Sequence, residues 1–239
     1  MCGRFVSSRR PEDLASLFGA DWQGEPVPPS WNVAPTDPVY AVLERLAKDG
    51  SGPARQVRVL RWGLVPSWSK DPGGGARMIN ARVETVDSKP AFRKAFTARR
   101  CLLPADGYFE WVPVDAPGAK PRKQPYYLTP ASGELMAMAG LYEFWRDPNV
   151  PEDDPAAWLT TCTVITTDAA DASGRVHDRM PLTVAPDAHE AWLDPAHQDP
   201  HALRALLAVP AGGELEVREV STEVNSVRNN GARLIAPLG

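Results

Sequence analysis

Prolines and glycines restrict this chain more than anything else in it: 25 of one and 18 of the other separate short apolar runs along 239 residues. A proline removes a backbone donor and blocks the helix interior, and turn chemistry this dense leaves little room for long helices. The expectation is many short elements joined by ordered turns. With 43% hydrophobic and 23% charged residues, the chain can build a packed core and lacks the bias of a disordered one. Its length lies at the upper end of what one core covers, so a single domain over residues 1–239 is expected.

Gly3 to Ser7 reads as a short strand, and Pro11 opens a helix with Glu12 and Asp13 in its first turn and Leu14, Leu17 and Phe18 on one face. Residues 22–38 look like loop. Residues 39–46 and 56–65 form a hairpin across turn chemistry at 48–53. Residues 70–75 read as an exposed loop, and a helix carrying Val86, Ala91 and Phe92 is expected after Asn80, limited by Pro90. Further strands are expected at 101–103, 108–112, 126–128, 135–144, 159–167 and 214–222, short helices at 188–193 and 201–207, and polar inserts at 115–124 and 147–155. Strands and helices mix without the regular alternation of a doubly wound sheet. The expected fold class is α+β, a single domain on a curved, barrel-like, mostly antiparallel β-sheet core with short flanking helices.

Net charge is −4, which argues mildly against a nucleic-acid partner unless a local basic groove exists. Three arginines fall in the first ten residues, but Pro11-Glu12-Asp13 follows, and no apolar stretch has signal-peptide or membrane-spanning length. The three cysteines, Cys2, Cys101 and Cys162, form no CxxC pair and are odd in number. Neither a disulfide framework nor a zinc knuckle is suggested, and a reducing, cytoplasmic setting is expected. No metal-ligand spacing, nucleotide fingerprint or Gly-x-Ser-x-Gly elbow occurs, so no metal and no cofactor are expected.

Chemistry concentrates in a few segments. A small residue at position 2 permits removal of the initiator Met1, leaving Cys2 with an α-amine and a thiol on adjacent carbons. An α-amine of pKa about 7.7–8.0 is roughly a tenth unprotonated at pH 7, far more than a lysine near about 10.4, so it is the better Schiff-base former. After it condenses with an aldehyde, the thiol can add to the imine carbon and close a thiazolidine ring. On the dipeptide alone, a small apolar residue starting a strand is the commoner explanation of Cys2. Trp62 and Trp68 precede the polar run Asn80-Ala81-Arg82-Val83-Glu84, and rings interleaved with cations suit a single strand, although each tryptophan taken singly is more often core. Glu110 lies inside the aromatic run Tyr108-Phe109-Glu110-Trp111; if buried it titrates nearer neutrality and serves as acid or base, and if solvent-facing it has no such role. His177, followed by Asp178 and Arg179 on a loop after a strand end, is the one of four histidines in such company.

Six segments follow one another over nearly the whole chain: Met1-Cys2-Gly3-Arg4-Phe5, Asn32-Val33-Ala34-Pro35-Thr36, Trp62-Gly63-Leu64-Val65-Pro66, Asn80-Ala81-Arg82-Val83-Glu84-Thr85, Asp106-Gly107-Tyr108-Phe109-Glu110-Trp111 and His177-Asp178-Arg179-Met180-Pro181. In this combination the sequence resembles the SOS response-associated peptidase family, the abasic-site processing proteins. The resemblance implies a protein that binds abasic sites in single-stranded DNA, as at stalled replication forks. It implies covalent cross-linking through Cys2, strand cleavage as a lyase side reaction, and peptidase-like removal of Met1.

By the same resemblance Cys2 is the nucleophile, Asn80 positions the reacting end, and Glu110 and His177 move protons during sugar ring opening and imine chemistry. Arg4, Arg82 and Arg179 are implied to converge on phosphates in a basic groove. Trp68 and Trp111, with Pro35, are implied to pack on flanking bases, and Asn32 to belong to the same DNA-binding loop as Pro35. The implied partners are abasic single-stranded DNA and the replication machinery, with the protein expected to be a monomer and, in a bacterium, nucleoid-associated. Two rivals come from other classes. Glutamine amidotransferases of the N-terminal-nucleophile kind also begin Met-Cys-Gly and attack an amide; a non-catalytic single-stranded DNA-binding module leaves Cys2 incidental.

Overall fold

The structure, a computed structural model, describes residues 2–46, 50, 52–114, 122–170, 173–208 and 213–238. Met1, part of the turn expected at 48–53 and most of the insert expected at 115–124 lie outside the described residues. In chain order the elements are β1 (Phe5–Ser7), α1 (Pro11–Phe18), β2 (Asp21–Trp22), β3 (Ser30–Val33), β4 (Pro38–Leu46), β5 (Pro53–Trp62), β6 (Asn80–Arg82), α2 (Arg93–Ala98), β7 (Arg100–Ala105), β8 (Gly107–Val114), β9 (Arg122–Pro130), β10 (Met136–Arg146), β11 (Trp158–Asp168), β12 (Arg179–Pro181), α3 (His189–Leu193), α4 (Pro200–Leu207) and β13 (Leu215–Glu219). Short 3-10 turns join several of them. Among the described residues no helix is long and apolar enough to cross a membrane.

Five strands close into a barrel. β5 pairs β4, β4 pairs β7, β7 pairs β10 and β10 pairs β11, all antiparallel, and β11 returns to β5 in parallel at Thr161↔Arg61 and Cys162↔Trp62. Alternation along each strand decides what fills the interior. Val39, Ala41, Leu43, Trp62, Leu103, Met138 and Val164 share one buried cluster, while their neighbours Tyr40, Val42, Leu102, Ala139 and Ile165 join another that includes the apolar faces of α1 to α4. Gly140 interrupts the inward row of β10. A β-carbon there would stand 2.9 Å from Cys101 Sγ and 3.1 Å from Leu103 Cδ1, so the interior has no room for a side chain at that level.

The second sheet runs β13-β9-β8-β1-β3. Phe5, Tyr108 and Leu128 on one of its faces belong to the barrel cluster, and Phe5 meets Trp62 edge to face at 4.9 Å. Val6, Phe109 and Tyr127 on the other face are covered by Val220 and Val224 of the C-terminal segment. The expected α+β class with a barrel-like, mostly antiparallel sheet is the observed one.

Two local expectations are revised. The segment after Asn80 is a strand, then turns, and the helix begins only at Arg93. Pro90 offers no N–H and biases Lys89 away from helical angles, while Asn80 to Arg82 gain a parallel partner in β11. Residues 22–38 are not all loop either, because β3 pairs β1 at Phe5↔Val33. A strand of four residues is too short to leave a periodic signature.

Burial also explains one unusual cation. Arg100 is buried, and its guanidinium is held by carbonyls: Nε donates to Trp192 O at 2.7 Å, Nη1 to Phe96 O at 3.1 Å and Thr97 O at 2.7 Å, and Nη2 to Asp194 O. These acceptors lie at the C-terminal ends of α2 and α3, where orphan carbonyls concentrate negative charge. Burial pulls its pKa down to about 10, which still leaves it charged at neutral pH. An Arg100→Met chain is expected to lose about 3 kcal/mol of unfolding free energy in a urea titration, because the carbonyls are left buried and unpaired.

Candidate active site

The residues just before β1, the first residue of β6, the middle of β8 and the loop before β12 converge. Cys2 is fully enclosed, with Sγ 3.8 Å from the Arg4 carbonyl oxygen. Its own carbonyl accepts a hydrogen bond from Asn80 Nδ2 at 2.8 Å. β6 puts Asn80 there by adding to the barrel strand β11 in register Val164↔Asn80. Asn80 Oδ1 is buried with no hydrogen-bond partner among the described residues, a spare acceptor beside Cys2. Burial, and then the charge of Glu110, push the Cys2 thiol up, so it stays protonated at neutral pH.

Glu110 faces inward from β8 and is 4% exposed, so the ambiguity left by its alternating strand resolves to burial. Burial raises its pKa, and nearby positive charge, that of His177 included, opposes the rise. His177 Nδ1 accepts the Arg179 backbone N–H at 2.9 Å and lies 2.7 Å from the Asp178 carboxylate. One nitrogen cannot do both in one state. The neutral ring accepts from the Arg179 amide and carries its proton on Nε2; the protonated ring can turn to Asp178, whose side chain is 86% exposed and the weaker constraint.

A cavity of about 480 Å³ opens over this point, lined by Arg4, Glu110, Trp111, Lys123, His177 and Asn225. That volume lies within the range of small-ligand clefts. Arg4 Nη1 donates to Asn32 Oδ1 at 2.7 Å and to Val224 O at 2.9 Å, and its guanidinium lies 5.9 Å from the centre of the Trp111 ring. Trp111 Nε1 donates to Asn225 Oδ1 at 2.7 Å.

The other residues singled out from sequence fall into two groups. Trp68 is 66% exposed on a turn that Trp145 Nε1 supports from below through Ser69 O at 2.8 Å. Pro35 sits in a tight turn closed by Asp37 N to Ala34 O at 3.1 Å, with Thr36 forced to φ 77°. Arg82 is exposed at the end of β6. These three are not among the residues that line the cavity. Asn32 and Arg179 are placed differently from what direct DNA contact requires. Asn32 is buried and its amide is taken up by Arg4 and by the carbonyls of Val224, Ser226 and Asn229. Arg179 is buried, its Nη1 shared between Glu84 and Asp168 and its Nη2 between Glu84 and Thr166 O. The Arg179 guanidinium is thus held by the carboxylates of Glu84 and Asp168, and its backbone N–H braces His177.

The sequence profile of the family described as SOS response associated peptidase (SRAP) matches residues 1–227. The chain belongs to this family. It is similar to abasic site processing protein YoqW of Bacillus subtilis (strain 168), 40% identical over 238 residues covering 98% of this chain and 99% of that one. Abasic site processing protein YedK of Escherichia coli (strain K12) is 31% identical over 245 residues, covering the whole of both chains. A crystal structure of a protein from Bacteroides thetaiotaomicron matches with a TM-score of 0.80 over 99% of this chain and 100% of that one; at 24% identity it shows the shared fold.

Three residues at this candidate site went unmarked in the sequence. Lys123 lay inside what read as a polar insert, whereas it belongs to β9 and lines the cavity. Asn225 ends a 3-10 turn capped by Ser221, whose Oγ accepts from Glu223 N at 3.2 Å, and that cap was the only local signal. Tyr108 is buried beside Cys2 and Glu110, and burial first, then those two groups, push its hydroxyl up.

Proposed function

We propose that this SRAP protein captures abasic sites in single-stranded DNA, as exposed at stalled replication, by forming a thiazolidine between Cys2 and the open-chain sugar. The observation that carries the reading is the Asn80 Nδ2 bond to the Cys2 carbonyl, which fixes the nucleophile beside a buried carboxylate at the floor of a cavity. In this mechanism Met1 leaves first, by addition of water across the Met1–Cys2 bond, which frees the α-amine. Glu110, holding its proton to higher pH than an ordinary carboxylate, gives it to the ring oxygen of the closed sugar. His177 takes the proton released from the anomeric hydroxyl on Nδ1, which gives up the Arg179 amide and turns to Asp178. The amine then attacks the aldehyde carbon and water departs to leave an imine. The Cys2 S–H adds across it, sulfur to carbon and proton to nitrogen.

The enclosed thiol supports an amine-first order, since a thiol kept protonated is a poor first nucleophile. Asn80 Oδ1 supplies an acceptor for the α-amine. Strand phosphates fall to Arg4, Lys123 and Arg82, and bases to Trp68, Trp111 and Pro35. If the imine instead loses a proton from the sugar, the 3′ phosphate leaves and the strand breaks, which is the lyase side reaction.

Intact-mass analysis tests the whole scheme. The purified protein is expected to be lighter by one methionine, and after incubation with a single-stranded abasic oligonucleotide to gain that strand's mass less one water. A folded protein that stays at its starting mass would overturn the covalent reading. Release of ammonia from glutamine would move the chemistry to an amidotransferase, and retention of the strand only under native conditions would reduce the protein to a binding module.

A further inference from the structure

Asn32 turns its side chain inward, onto the C-terminal segment. Its Nδ2 bonds the carbonyls of Ser226 at 3.0 Å and Asn229 at 2.9 Å, and Asn229 N bonds Ser226 O at 3.1 Å, closing a four-residue turn with Val227 and Arg228 at its tip. The turn is held from every side. Asn229 Nδ2 donates to Glu223 O at 2.8 Å, Asn230 Nδ2 to Pro29 O at 3.0 Å, and Trp31 N to Asn230 Oδ1 at 2.8 Å. A turn so firmly clamped is a rigid mount.

Its tip is chemically odd. Turn centres favour Asn, Gly, Pro and Asp, yet here stand a valine that is 59% exposed and an exposed arginine whose side chain has no hydrogen bond or ion pair among the described residues. Neither gains anything from the fold, which makes them candidates for contact with something outside it. The tip also adjoins the cavity: two residues before Val227, Asn225 lines it and bonds Trp111, and Val224 O receives Arg4.

We propose that the turn from Ser226 to Asn229 is a second grip on the strand, in which Arg228 takes a backbone phosphate flanking the abasic sugar and Val227 the apolar face of the adjoining nucleotide. Asn32 acts through this turn as a positioning residue. The inference rests on reading the cavity as an abasic-site pocket.

The test follows cross-linking rate against oligonucleotide concentration at several salt concentrations for wild type, Arg228→Gln and Val227→Ser, with affinity for an undamaged single strand measured alongside. Both side chains are exposed, so both variants should melt with the wild type. Arg228→Gln is expected to raise the half-saturating concentration about fivefold, leave the maximal rate unchanged, and make the log–log salt slope shallower by about 0.7, the share of one single-strand phosphate. Val227→Ser is expected to raise the half-saturating concentration about twofold with the slope unchanged. Half-saturation and salt slope identical to wild type in Arg228→Gln would overturn the grip. Failure of the wild type to cross-link, with the Arg228 effect on undamaged strands intact, would overturn the pocket reading alone.

Discussion

Cys2→Ala and Cys2→Ser chains, prepared with residue 2 as the first residue by cutting a removable leader, are expected to lose denaturation-resistant capture of abasic DNA. The loss should be on the order of 10³-fold or more in the yield of stable adduct, because the thiol sits on the carbon next to the amine-bearing one and acts at an effective concentration no free thiol can match. Both variants keep the α-amine, and the Asn80 bond goes to the backbone carbonyl of residue 2, which substitution leaves in place. They should therefore still form the imine, and borohydride should trap it. Loss of the reduced adduct as well would mean that the amine is not the first nucleophile. Stable adduct from Cys2→Ala would remove sulfur from the scheme. The leader matters because a chain that depends on its own cysteine to remove Met1 would otherwise present the wrong amine.

How much of this was legible beforehand depends on whether a residue's role is set by its neighbours in sequence or in space. That Val39, Ala41 and Leu43 share one face of β4, and Tyr40 and Val42 the other, follows from the two-residue period of a strand. Closure of the barrel does not, since β11 meets β5 at Cys162↔Trp62, a hundred residues apart, and parallel pairing leaves no turn to mark it. The case for Cys2 can be made from covalent chemistry, which needs only adjacent atoms. The case for Glu110 cannot, because an alternating strand allows either face to be buried, and only the packing of Phe5 and Tyr108 into the barrel cluster decides which. Arginine and asparagine pose the same difficulty. The sequence shows a cation at Arg179 and an amide at Asn32, but not that Glu84 and Asp168 hold the first or that carbonyls of Val224, Ser226 and Asn229 hold the second. Charge type is local information; the partner that cancels it is not.

Glu110→Gln is expected to slow adduct formation by about 10²- to 10⁴-fold, the usual worth of a positioned proton donor, with little change in affinity for undamaged single strands. Its pH profile carries the assignment. In the wild type two limbs compete: the rate rises with pH as the Cys2 α-amine loses its proton, then falls as the Glu110 carboxyl loses its own above its raised pKa. Removing the carboxyl should erase the falling limb and leave a slow rate that climbs to a plateau. Stability moves the other way. An acid whose pKa is raised by folding contributes stability that is present below its unfolded pKa and is lost as pH rises through its folded one, a loss that glutamine does not suffer. The melting temperature of Glu110→Gln should then fall less than that of the wild type as pH rises through that range, which separates slow capture from unfolding. Equal rates, or an intact falling limb in the variant, would take Glu110 out of the mechanism and leave ring opening to His177.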